Sequence, residues 1–190
     1  MKRFRLVLWL FVLLLASVAH AGDRFPWKFG MSPAEVSAVA PYGPYKQFRN
    51  GDLETYKGVF EGHEENFQFF FDQDRKLHRI GIYLYEGKDQ AAAVKRWLDL
   101  YKSIRKEFGT IAASDNSPLA DATQEARFVE RTIQLLEGAD EIRMDPVAQP
   151  KDAIVSAGLM HGSIEGAVWY YIVLFFDAPG EGGRSISTGT

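Results

Sequence analysis

The strongest constraint on this chain is a pair of period-two apolar runs separated by a polar turn. Phe67, Phe69 and Phe71 alternate along the first run, and Ile80, Ile82 and Leu84 along the second. Between them, Asp72-Gln73-Asp74-Arg75-Lys76 holds the residue types that reverse a chain. Successive side chains of a strand point to opposite faces, so each run puts its apolar set on one side. Paired as a hairpin, the two runs make a sheet surface that another element must cover.

The cover is legible too. Over residues 89–108, Val94, Trp97, Leu98, Tyr101, Ile104 and Phe108 fall on one stripe at helical spacing. Asp89 suits the N-cap, and Gly109 suits the left-handed residue after the last turn. A shorter helix starts at Ser32. Pro33 takes the first helical position and Glu35 closes a capping box, until Pro41, Gly43 and Pro44 end the segment. Its expected buried face is Val36, Val39 and Ala40.

Further strands are expected over residues 53–60, 128–136, 153–160 and 167–176, with Gly138, Pro146, Pro150, Gly162 and Gly166 in the turns. The last is apolar on both faces, which predicts a central strand covered on both sides. Residues 110–126 read as a polar loop. Residues 179–190, rich in Gly, Ser and Thr, are expected to be a disordered tail. Each half runs helix first, then about three strands, without a residue-level repeat. The fold class is α+β: an antiparallel sheet of about six strands with one long and one short helix packed on it, in a single domain over residues 22–178.

The first 21 residues read as an export signal. Lys2, Arg3 and Arg5 form a basic leader, residues 6–18 are almost wholly apolar, and Ala19-His20-Ala21 has the small-x-small pattern of a cleavage site. The apolar run is shorter than the ~20 residues a spanning helix prefers. Cleavage moves the formal charge from -3 to -6, because the leader holds three basic residues and no acid. An acidic domain is a poor nucleic-acid binder, since neutralising phosphates needs clustered Lys and Arg. With zero Cys, neither a disulfide framework, a thiol nucleophile nor a lipoprotein anchor exists. Packing alone must hold the fold, which suits a bacterial periplasm, with an extracellular destination left open. No integral membrane segment is expected after cleavage.

The opening Trp27-Lys28-Phe29-Gly30-Met31-Ser32-Pro33-Ala34-Glu35-Val36 resembles the start of many small exported bacterial proteins, where a Gly-Met-Ser/Thr-x-x-Glu/Gln-Val turn begins a short helix and a hairpin follows. Over residues 27–85 the arrangement is similar to envelope lipoproteins of the SmpA/BamE type and to the β-lactamase inhibitory protein fold. That resemblance implies a helix-on-sheet binding module. The missing lipobox Cys departs from the lipoproteins.

Motifs for chemistry fail on inspection. His63-Glu64-Glu65-Asn66 lacks the second His that a zincin places four residues on, where Phe67 stands. Counting a calcium loop from Asp72 puts Leu77 and Tyr83 where Gly and Glu are needed. Ser163 lies one residue out of register for a nucleophile elbow. His63, His78 and His161 are far apart in sequence, so no metal and no cofactor is expected. Two features remain as candidate binding residues. Lys95, Lys102 and Lys106 fall within ~40° on the long helix, a cationic stripe diluted by Asp99 and Glu107. Phe70, Tyr83 and Tyr85 belong to the hairpin face opposite Phe69 and Ile82, where aromatics suit a protein interface unless another layer covers them. The reading is an exported periplasmic protein, noncatalytic, that binds another envelope protein through a sheet face. A small envelope enzyme with a dispersed site and a carrier of a small apolar ligand stay open as alternatives.

Overall fold

The computed structural model describes residues 24–113, 118–119, 121, 123–124, 126–128, 132 and 141–180. The proposed signal segment and residues 181–190 of the expected tail lie outside them. The described elements run α1 (Pro33–Ser37), β1 (Lys46–Gln47), β2 (Leu53–Phe60), β3 (His63–Phe71), β4 (Leu77–Gly87), α2 (Gln90–Phe108), β5 (Ile111–Ala113), β6 (Glu141–Pro146), β7 (Ile154–Ile164) and β8 (Ala167–Asp177). All eight strands form one antiparallel sheet in the order β1-β2-β3-β4-β8-β7-β6-β5. The class is α+β as expected, with eight strands rather than about six.

Three departures account for the difference. The two-residue β1 and three-residue β5 are too short to leave a periodic signal. The six-residue β6 lies where Pro146 suggested a turn. Of the strand expected over residues 128–136, the described Phe128 and Thr132 are helical, in a third helical segment that also includes Thr123, Gln124, Ala126 and Arg127. Thr132 Oγ1 donates to the Phe128 carbonyl at 2.8 Å, the back-bond that lets a β-branched residue sit in a helix. The other residues of that expected strand lie outside the described set.

The order is symmetric about its centre. Each half opens on a helix and supplies four strands, the second with the third helical segment between β5 and β6, and the halves join where β4 pairs with β8. This seam runs from Arg79 opposite Asp177 to Gly87 opposite Tyr170. The apolar last strand is thus central, between β4 and β7.

One sheet face carries the core. Phe67, Phe69, Ile80, Ile82, Leu159, Ile172, Leu174 and Phe176 are buried there beneath the helices. Both helix starts follow the rules read from the sequence. Ser32 and Glu35 complete the capping box, and Asp89 accepts from the Ala92 N–H at 3.0 Å. Gly109 has φ +81° at the end of α2. The buried stripe of α2 is Ala93, Trp97, Leu100, Tyr101 and Ile104, with Val94, Leu98 and Phe108 on its margin. On α1, Val36 is buried; Val39, half-buried, and Ala40, exposed, lie beyond the helix end. The segment before α1 adds Phe25, edge-on to Phe67 and Phe176, and Trp27, against Phe67, Phe69 and Tyr42.

Residues 172–177 of β8 are buried on both faces, as expected of a central strand. No described helix packs on the second face, yet Val173 and Phe175 are buried there. A side chain of the same face lies over Phe175. The Arg79 guanidinium sits 5.0 Å from the Phe175 ring centre and is held by Asp177. Gly81 leaves room for the rings on either side: a Cβ there would lie 3.2 Å from Phe175 and 3.3 Å from Phe70.

Candidate functional site

The helix-free face is the candidate site, and strand register decides which side chains reach it. Antiparallel partners share a face. Arg79, Gly81 and Tyr83 pair with Asp177, Phe175 and Val173, all on the open side. The pairing then slips at Leu84. Tyr85 pairs with Ile172, a core residue, and Glu86 pairs with Tyr171. A bulge of one residue exchanges the faces of everything beyond it.

The expected aromatic trio is therefore split. Phe70 and Tyr83 do share the open face. Tyr85 turns to the helix side, packs against the core, and donates its hydroxyl to the Asp89 carbonyl at 2.8 Å. The slip brings Glu86 into its place. The lysine stripe lies on the far side of the sheet, on the solvent flank of α2. Lys95 and Lys102 both reach Asp99, at 2.9 and 3.5 Å, and Lys106 is exposed. These contacts hold the Asp99 carboxyl below its usual range, chiefly through the bond from Lys95. One carboxylate shared by two lysines weakens the stripe as a cationic patch.

Near the β2–β4 end of the open face lies a depression of about 360 Å3, lined by Tyr56, Glu64, Glu65, Asn66, Tyr83, Leu84, Tyr85 and Glu86. Tyr56 lies on the open face by alternation from Glu54, which pairs with Gln68, and its ring is largely exposed beside the β2 bulge between Thr55 and Gly58. Tyr171 stands beside Tyr83, edge to face, with ring centres 6.5 Å apart. Asn66 Nδ2 donates to Glu86 Oε2 at 3.3 Å.

The local field is negative. Burial pushes the Tyr83 phenol up to about 12, with Glu86 and Tyr171 adding to it. Tyr56 and Tyr171 are raised too, first by burial and then by neighbouring carboxylates. All three phenols therefore stay protonated at neutral pH. Several nearby acids already have partners: Lys46 reaches Glu54 at 2.8 Å, Lys57 reaches Glu64 at 2.7 Å, and Arg96 lies 3.6 Å from Glu65.

Of the residues that line this depression, sequence reasoning found Tyr83 and Tyr85 and missed Tyr56, Asn66 and Glu86, as it missed Tyr171 beside Tyr83. Tyr171 had a usable signal, since it shares parity with Val173 and Phe175 along β8. Glu86 had none, because strict alternation puts it with the core.

The other sequence candidates stay apart. His63 is exposed at the start of β3, while His78 and His161 are half-buried on β4 and β7. No group of three His, Asp or Glu among the described residues is placed to hold a metal. Asp72 closes its own turn by accepting from the Lys76 N–H at 2.8 Å. A small apolar cavity of about 30 Å3 lies between Phe25, Trp27, Phe29, Ile80 and Phe176, room for about one water rather than a carried ligand. No described helix is long and apolar enough to cross a membrane. No protein-family model matches the chain, and neither a curated protein nor a solved structure matches it.

Proposed function

We propose that this chain is an exported, noncatalytic envelope protein that binds another protein on its helix-free sheet face. The observation that carries this reading is the make-up of that face. Phe70, Tyr83, Tyr171 and Phe175 lie on it beside Asn66, Gln68 and Glu86, with no described helix above them. Tyrosines that bury area and keep a hydroxyl for the partner, among polar groups, are what interfaces favour. The depression on this face is open to solvent, whereas small-molecule sites enclose most of their ligand. Short edge strands also argue for the face over the edge, since β1 and β5 offer few free backbone groups for an added strand.

Export to the periplasm, through residues 1–21, belongs to the same proposal. It rests on the basic, apolar and Ala-His-Ala pattern, and mass spectrometry of the secreted protein should find Gly22 at the N-terminus. An intact Met1 on the secreted protein would overturn it.

The face is tested by photo-cross-linking in the host. A cross-linking amino acid replaces Gln68 on the open face or, as control, Lys102 on α2. A single discrete adduct from position 68, absent from position 102, supports the reading. No adduct from position 68, or the same adducts from both positions, refutes it.

A further inference from the structure

The depression holds an unfilled hydrogen-bonding demand. Asn66 is 5% exposed, and its Oδ1 has no hydrogen-bond partner. Glu86 fixes the amide's orientation, because Nδ2 donates to that carboxylate and a flipped amide would set oxygen against oxygen. A buried acceptor left unpaired is costly, because it has lost water without gaining a partner. What is missing is therefore a donor.

The surroundings specify its charge. Glu86 is exposed, and one of its oxygens accepts from Asn66, which leaves the other for a ligand. Tyr56 and Tyr83 line the same depression, with Tyr171 against Tyr83. Aromatic faces and a carboxylate together attract a cation. A water would satisfy Oδ1 but would leave the carboxylate and the rings without a role. A divalent metal lacks the ligands, since no group of three acids or histidines is assembled among the described residues.

We propose that this depression receives the ε-ammonium of a lysine side chain presented by the partner protein. The inference rests on the protein-binding reading and names the chemistry of its anchor. Lysine fits better than arginine. An ammonium has three donors, which the second Glu86 oxygen and the tyrosine hydroxyls of the depression can accept, with Asn66 holding Glu86 in place. A guanidinium seeks a two-pronged carboxylate, and Asn66 already occupies one prong. The acidic balance of the chain favours a basic partner in the same sense.

The test uses protein purified from cells that express and export the full chain. The probe is Nα-acetyl-lysine N-methylamide, followed by backbone amide NMR shifts, with its Nε-acetylated form as the uncharged control. Saturable shifts should centre on Asn66, Tyr83 and Tyr171. Acetylating the ammonium, or Glu86→Gln, should weaken binding by at least about tenfold, because each removes one charge of the pair. Tyr171→Leu should weaken it without moving the shifts of core residues such as Leu159. Equal binding of the acetylated probe, or wild-type binding by Glu86→Gln, overturns the inference. The cross-linking at position 68 separates the two claims. An adduct at wild-type yield in the Glu86→Gln protein means the face binds by other chemistry, and this inference falls alone. If no adduct forms at position 68 in any background, the protein-binding reading falls as well.

Discussion

Gly58→Ala should destabilise the protein by ~2–3 kcal/mol, although in most strands the change would help. Replacing a glycine by alanine where the backbone allows it usually stabilises by about 0.4–1 kcal/mol, because the unfolded chain loses freedom. At Gly58 a Cβ would lie 2.5 Å from Cγ and 2.6 Å from Cε2 of Phe67, well inside contact distance. The ring cannot retreat. Phe67 is fully buried, with the rings of Phe25, Trp27 and Phe69 at 5.5, 5.4 and 6.4 Å. Overpacking costs typically ~1–3 kcal/mol, and immobile neighbours put this site at the upper end. Urea unfolding reads the cost as a lower midpoint at an unchanged slope. The decisive comparison is the same change in a Phe67→Leu background, which opens space beside position 58. There Gly58→Ala should cost no more than ~0.5 kcal/mol, a coupling of at least ~1.5 kcal/mol between two touching sites. A Gly58→Ala protein as stable as the parent, or an equal cost in both backgrounds, would refute the reasoning.

Trp97 is fully buried, so Trp97→Ala should cost ~3–5 kcal/mol in urea unfolding. Its indole N–H has no partner among the described residues, so Trp97→Phe should cost far less, since it removes an unpaired buried donor along with the lost volume. Ser32→Ala should cost ~1 kcal/mol, because it removes the hydroxyl that caps the Glu35 N–H. The Glu35 carboxyl is held below its usual value by the backbone bond from Ser32, so its contribution is present above the ordinary 4.5 and is lost as the pH falls through the lower folded value. Acid unfolding of a Glu35→Gln variant should lack that component. The Tyr83 phenol, pushed up to about 12 from 10.0, contributes stability that is intact below pH 10 and is lost as the pH rises from 10 to 12. An absorbance titration of phenolate, with the Tyr83→Phe protein subtracted, checks this, and a difference curve centred on 10 would contradict it.

Features legible in the sequence were local ones. Ser32 with Glu35, and Asp89 with Gly109, mark helix ends because capping bonds span only three or four residues. The hairpin of β3 and β4 was legible because a period of two sets faces without knowledge of partners. Phe128 was misread because a short apolar run with a β-branched neighbour looks the same in a helix and a buried strand. Phe70 and Tyr83 were placed on the open face by alternation alone. Tyr85, placed there by the same alternation, lies on the helix side instead, because a single bulge at Leu84 overrides alternation for every residue after it.

By itself, then, the sequence determined that this chain makes capped helices and amphipathic strands, and that an antiparallel sheet would bury Phe67, Phe69, Ile80 and Ile82 under a helix bearing Trp97. Those outcomes depend on neighbours a few residues apart. Tertiary structure alone decided that β4 joins β8 across some ninety residues, and that no described helix covers the second face. It also decided which groups meet in the depression. Tyr56, Asn66 and Glu86 come from three strands, and the bulge at Leu84 turns Glu86 to the open side. A bulge is selected by how whole strands must twist and pair, so its position is a property of the assembled sheet.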